Sequence, residues 1–198
     1  MNEIAPSDVP QPQPAGDGPP RYRWSLAQFE RLIEHGILTE ADRVELIEGE
    51  IIPMSPKGSR HEYVRDELQD RLMRQLPPDV RLSAELGWRP DGESYLEPDI
   101  LISSRGARAP EIPVSAVLLL IEVAKSSLDF DRGTKASVYA RLGVREYWVV
   151  NAVTLEAIVH REPGSEGYGT VVTLPATATL VPHLLPALKL SLGGLGVA

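Results

Sequence analysis

The chain has 198 residues, 42% hydrophobic and 24% charged, with a formal net charge of −8. This is enough for one domain with a core, and the acidic balance counts against a simple nucleic-acid binder. The absence of cysteine excludes disulfides and thiolate metal sites, and no apolar run approaches the roughly 20 residues that span a bilayer, so a cytoplasmic protein with no membrane contact is expected.

Residues 1–20 carry many prolines and few large apolar side chains. They read as a disordered tail without the apolar core of a secretory signal, ahead of a single domain over residues 21–198. Ser25 is the expected N-cap of a helix from Leu26 to His35, with Phe29, Leu32 and Ile33 on one face and Gly36 as its stop. Two short strands follow over residues 43–54, joined by a turn at Glu48-Gly49. Alternation puts Glu45 and Glu48 on opposite faces of the first strand, so only one of them points inward.

A helix is expected from about Ser59 to Gln75, with Tyr63, Val64, Leu68, Leu72 and Leu76 as its apolar stripe and His61 in its first turn. Strands are expected over Val80 to Trp88, Pro98 to Ser103 and Val117 to Val123, the last apolar enough for a central strand. A helix from about Asp131 to Leu142 stops at Gly143. Strands Tyr147 to Val150 and Leu155 to His160 come next, then a closing hairpin and an apolar C-terminal segment within residues 163–198. The pattern predicts an α/β (α+β) fold with a mixed central sheet flanked by helices.

Two acids stand out against this frame. Asp99 opens the run Asp99-Ile100-Leu101-Ile102, and Glu122 interrupts Val117-Leu118-Leu119-Leu120-Ile121-Glu122-Val123. A carboxylate in so apolar a strand is costly to bury unless it is paired, hydrogen-bonded or bound to a metal. If the two strands pair, both acids project from one end of the sheet. Mg²⁺ is content with one or two carboxylates plus waters and a substrate phosphate, so Asp99 and Glu122 form a candidate site for Mg²⁺ or Mn²⁺. Lys135 stands four residues before Tyr139, so helical spacing puts both on the sheet-facing side. Its long stem can carry the ammonium to the two acids. Lys125 is the alternative lysine, although alternation puts it on the opposite face from Glu122. Local basic patches are expected at Lys57 to Arg65 and Arg71 to Arg81, and Glu85 is a further acidic candidate.

These stretches resemble the Uma-two family of proposed restriction endonucleases, in the PD-(D/E)XK nuclease superfamily. The resemblance rests on Val44-Glu45-Leu46-Ile47-Glu48-Gly49-Glu50, Met54-Ser55-Pro56 with His61, Glu97-Pro98-Asp99-Ile100 and Ile121-Glu122-Val123-Ala124-Lys125-Ser126. It continues through Asp131, Lys135 and Tyr139 to Gly143-Val144-Arg145-Glu146-Tyr147-Trp148-Val149-Val150. It implies a restriction-endonuclease-like core and a metal-dependent endonuclease acting on DNA, with Asp99 and Glu122 as metal ligands and catalytic acids. The superfamily pattern puts its lysine at position 124, where this chain has Ala124; the family's lysine is displaced to the next helix, at Lys135. The resemblance adds Glu45 as a further acid near the metal or the attacking water, and His61 as a contact to phosphate or to a proton in transfer. A homodimer is the assembly that would cut both strands of a duplex. Two other readings stand beside this one: a catalytically inactive nuclease fold that binds nucleic acid or protein, and a hydrolase of a smaller phosphate substrate, for which no Gly-x-x-x-x-Gly-Lys loop speaks.

Overall fold

The structure, a computed structural model, describes residues 11–15 and 18–195. They divide into two compact units, one running to Met54 with Arg89–Leu96 added, the other made of Ser55–Trp88 and Glu97 onward. Residues 1–10, 16 and 17 of the expected disordered tail lie outside the described residues. In the described part of that stretch, β1 (Gln11–Ala15) runs antiparallel to β2 (Gly18–Arg23), with Gln11 opposite Arg23 and Gln13 opposite Arg21. Pro12 and Pro14 alternate with these residues, so their missing N–H groups fall on one edge and leave the other free to pair.

The first unit continues with α1 (Leu26–Glu34). Ser25 caps it as expected: its hydroxyl accepts the Gln28 N–H, and the Gln28 side chain accepts the Ser25 N–H at 2.9 Å. Phe29 is buried and packs at 5.4 Å on the Tyr95 ring, over which the Arg89 guanidinium also lies. Strands β3 (Val44–Ile47) and β4 (Glu50–Pro53) form the expected hairpin. Glu48 and Gly49 take φ of 50° and 80°, the left-handed pair that matches hairpin twist. A Cβ on Gly49 would come within 2.9 Å of the Arg23 Cβ, so this turn needs glycine twice over. Glu45 is buried on β3, whereas Glu48 is exposed in the turn.

The second unit is a six-stranded mixed sheet flanked by helices. Its strands are β5 (Val80–Ala84), β6 (Ile100–Ser104), β7 (Val117–Ala124), β8 (Glu146–Asn151), β9 (Ala157–Gly164) and β10 (Gly167–Leu174), in the order β10-β9-β8-β7-β6-β5. Only β7 and β8 are parallel; all other neighbours are antiparallel. The connection between them carries a short helix α3 (Leu128–Phe130), a π-helical turn Asp131–Lys135 and α4 (Ala136–Leu142). Helix α2 (Ser59–Met73) packs on β7 and β5 through Val64, Leu68 and Leu72, which join Ile100, Ile102, Leu119, Ile121 and Val123 in one core. Each such buried aliphatic side chain contributes roughly 1.5–3 kcal/mol. Tyr63, expected in that stripe, lies outward and is exposed.

Strand β5 stops at Ala84, short of the expected Trp88, because Glu85 takes a left-handed φ of 49° that ends the extended run. The expected strand Leu155 to His160 runs on to Gly164 as β9 and turns back as β10, so the hairpin starts earlier than residue 163, and the apolar C-terminal segment adds a small pair, β11 (Thr179–Leu180) with β12 (Leu190–Ser191). Leu180, Leu185, Leu188, Leu190, Leu192 and Leu195 are all buried in the same core. Among the described residues no helix is long and apolar enough to cross a membrane.

Candidate active site

The two standout acids meet at one end of the sheet. Ile100 lies opposite Ile121 in the β6–β7 ladder, so the next position out sets Asp99 beside Glu122. Pro98 fixes the entry into β6, and from there each carboxylate satisfies the backbone of the other's strand. Asp99 Oδ2 accepts the Val123 N–H at 2.8 Å, and Glu122 Oε2 accepts the Asp99 N–H at 3.3 Å. Both side chains are at least 95% removed from solvent. Buried acids in this position stay ionised only with cationic or donor partners close by.

Glu122 finds them on the helix that follows β7. Lys135 Nζ donates to its Oε1 at 2.9 Å and the Tyr139 hydroxyl donates to the same oxygen at 3.1 Å. Lys135 is itself buried, so this is a closed ion pair rather than a surface contact. Lys135 ends the π-helical turn, which carries one more residue per turn than an α-helix and so changes the direction of the side chains that follow it. Ser127 Oγ donates to Asp131 Oδ2 at 2.6 Å, and the buried Tyr147 hydroxyl donates to the Asp131 carbonyl, pinning the start of that turn.

Asp99 finds its partners on the other side. His61, in the first turn of α2, places Nε2 3.0 Å from Asp99 Oδ2. A carboxylate only accepts, so the ring carries its proton on Nε2; Nδ1 is buried with no hydrogen-bond partner among the described residues. Lys57 sets Nζ 3.3 Å from Asp99 Oδ1, 2.5 Å from Glu85 Oε1 and 3.6 Å from Glu97 Oε1. Burial works against the Asp99 charge, but the His61 ring, the Lys57 ammonium and the Val123 N–H outweigh it and hold the carboxyl down to about 2. Burial likewise opposes the Lys57 charge, and Asp99, Glu85 and Glu97 overcome it and raise that pKa. Arg65 completes the group by pairing with Glu85.

The structure therefore brings Asp99, Glu122, Lys135 and His61 together. Glu45 belongs to the first unit. Lys125, the alternative lysine, is exposed. The expected basic patches are largely spent: Lys57 and Arg65 turn inward onto carboxylates, Arg71 bonds the carbonyls of Ser191 and Gly194, and Arg74 pairs with Asp70. Acids close by in the fold drew Lys57 and Arg65 in, and a charge count along the chain does not see that. Lys57 is the functional candidate that sequence reasoning missed, because it sits in a Pro/Gly loop without periodicity. Tyr139, expected on the sheet-facing side of its helix, also donates to Glu122.

The donor set suits a hard cation: two buried carboxylates at one strand end, with oxygen donors only. Among the described residues no three or more His, Asp or Glu side chains form a ready-made metal cage. A cation on Asp99 and Glu122 would complete its shell with water and substrate oxygens, the habit of Mg²⁺.

A family model, Uma2, described as "Putative restriction endonuclease", matches residues 26–193. A crystal structure described as that of "a putative nuclease belonging to DUF820 from Anabaena variabilis ATCC 29413" has the same fold, with a TM-score of 0.67 at 20% sequence identity. The match covers 86% of this chain and 96% of that one. No curated protein matches the chain.

Proposed function

The chain belongs to the Uma2 family, and on that premise we propose that it is a metal-dependent endonuclease of the PD-(D/E)XK type acting on DNA. The observation that carries the reading is the buried pair Asp99 and Glu122 with Lys135 closed onto Glu122 at 2.9 Å. Asp99 and Glu122 would hold Mg²⁺ or Mn²⁺. Such an ion, when bound, supplies Lewis acidity toward a phosphoryl oxygen and lowers the pKa of a coordinated water. Lys135 orients the nucleophile or offsets the negative charge that develops on the scissile phosphate. Tyr139 holds the Glu122 carboxylate in place and His61 does the same for Asp99, and the family resemblance carries His61 as a contact to phosphate or to a proton in transfer. Glu45 is carried as a further acid by the family resemblance alone. A homodimer would supply one site to each strand of a duplex.

A nicking assay on supercoiled plasmid, with and without Mg²⁺ or Mn²⁺, tests the reading. Metal-dependent cutting by the wild type, lowered about 10²–10³-fold in Lys135→Met, supports it. Cutting that ignores metal, or that survives Lys135→Met unchanged, contradicts it. A second reading, a nuclease fold that binds nucleic acid or protein without cutting, is favoured by one observation: most of the expected basic patches are engaged in internal pairs. A folded wild type that binds DNA and leaves it intact with either metal would select that reading.

A further inference from the structure

We propose that Lys57 is a built-in counter-cation that occupies the metal-facing oxygen of Asp99 and withdraws onto Glu85 and Glu97 when a divalent ion enters. The inference rests on the metal-site reading above and concerns a residue outside it. Asp99 Oδ2 is already committed to two donors, His61 Nε2 at 3.0 Å and the Val123 N–H at 2.8 Å. An incoming cation must therefore use Oδ1, and that is the oxygen Lys57 approaches at 3.3 Å. Lys57 and the metal compete for the charge of one oxygen atom.

Expelling a buried ammonium is ordinarily costly, because a charge left alone in a dry site has lost its solvation. Here it need not be left alone. The same Nζ lies closer to Glu85 Oε1, at 2.5 Å, than to Asp99, and Glu97 Oε1 is at 3.6 Å. A small movement of the lysine tip surrenders Asp99 and keeps two carboxylates. Arg65 also pairs with Glu85, which fixes that carboxylate as the lysine's second berth. The Lys57 side chain is 8% exposed, so bulk water does not screen the competition. Lys135 plays a different part: it pairs with Glu122, on the other side of the site. With Lys57 in place the charge of Asp99 is matched while the site waits for metal, and the affinity for metal is held below what two bare carboxylates would give.

The test is Mn²⁺ binding by isothermal titration calorimetry to the full chain, with folding checked by circular dichroism. The expected result is binding about tenfold tighter in Lys57→Met than in the wild type, and near wild-type affinity in Lys57→Arg, which keeps the charge. Glu85→Gln, which removes the berth, should weaken binding in the wild-type background and have little effect in Lys57→Met, since it acts through the lysine. If Lys57→Met fails to fold, the Lys57→Arg and Glu85→Gln pair carries the test: weaker binding in Glu85→Gln supports the proposal and unchanged binding overturns it. Equal affinity in wild type and Lys57→Met overturns the proposal while leaving the metal site standing. Binding in Lys57→Met but not in the wild type supports it. No binding in any folded variant overturns both this proposal and the metal-site reading.

Discussion

Two buried carboxylate groups lie at different places on the same sheet and are treated in opposite ways. Glu146 begins β8, beside the middle of β7, and is 1% exposed. Its Oε1 accepts from Trp148 Nε1 at 2.8 Å and from Arg161 Nε and Nη2 at 3.0 and 2.7 Å, and its Oε2 accepts the His183 N–H at 2.6 Å. Those donors are an indole, a planar guanidinium fork and a peptide, none of which leaves easily. Asp99 and Glu122 sit at the far end of β6 and β7, and the cations on them are two lysines on flexible stems. Both arrangements meet the requirement that a buried charge be paired. The first builds a structural joint between β8, β9 and the C-terminal segment. The second holds its acids ionised and leaves them exchangeable. Burial of an acid does not by itself mark a functional site; the kind of donor that neutralises it does.

The largest effect that sharpens this contrast is on stability. Glu146→Ala removes the buried carboxylate that accepts from the Trp148 indole and the His183 N–H, so urea unfolding should show a loss of about 1–3 kcal/mol. A loss under about 1 kcal/mol would mean that the joint is replaceable. A smaller effect is expected from Tyr139→Phe, which deletes one hydrogen bond to Glu122 Oε1 and keeps the ring packed 4.8 Å from Tyr147. Its stability should change by about 1 kcal/mol, and plasmid cutting should fall only severalfold. The smallest effect is on pH dependence, at a buried histidine of β9. His160, against the rings of Tyr147 and Tyr168 and bonded to the Tyr147 carbonyl, has its pKa lowered from 6.5, chiefly by burial. The unfolded chain then takes up that proton first, so stability falls as pH drops below the ordinary histidine value. His160→Gln should reduce that fall between about pH 8 and about pH 5 in urea titrations. A profile unchanged by the substitution would show that His160 does not carry it.

Much of this was legible in the chain. Periodicity located α1, α2 and the strands to within a few residues, because most of their apolar positions follow the periods of helix and strand. Asp99 and Glu122 were visible because they break apolar runs, and Lys135 because its spacing to Tyr139 sets it toward the sheet. Lys57 was not visible: nothing in Ser55-Pro56-Lys57-Gly58 says that the loop will turn its lysine onto acids far along the chain. Glu146 was hidden for the same reason, since its partners Arg161 and His183 are supplied by strand pairing and a late loop. The early end of β5 depends on the left-handed Glu85, a conformation that the pairing with Lys57 and Arg65 accompanies and that no propensity foretells. The π-helical turn at Asp131–Lys135 is likewise set by contacts, among them Tyr147 to the Asp131 carbonyl.

The most direct test of the central claim compares one substitution from each carboxylate group in the plasmid-cutting assay. Asp99→Asn and Glu146→Gln would be assayed beside wild type with Mn²⁺, at a temperature where circular dichroism shows all three folded. The account predicts that wild type and Glu146→Gln cut and that Asp99→Asn does not. Cutting by Asp99→Asn, or its loss in a folded Glu146→Gln alone, would contradict the assignment of the two ends.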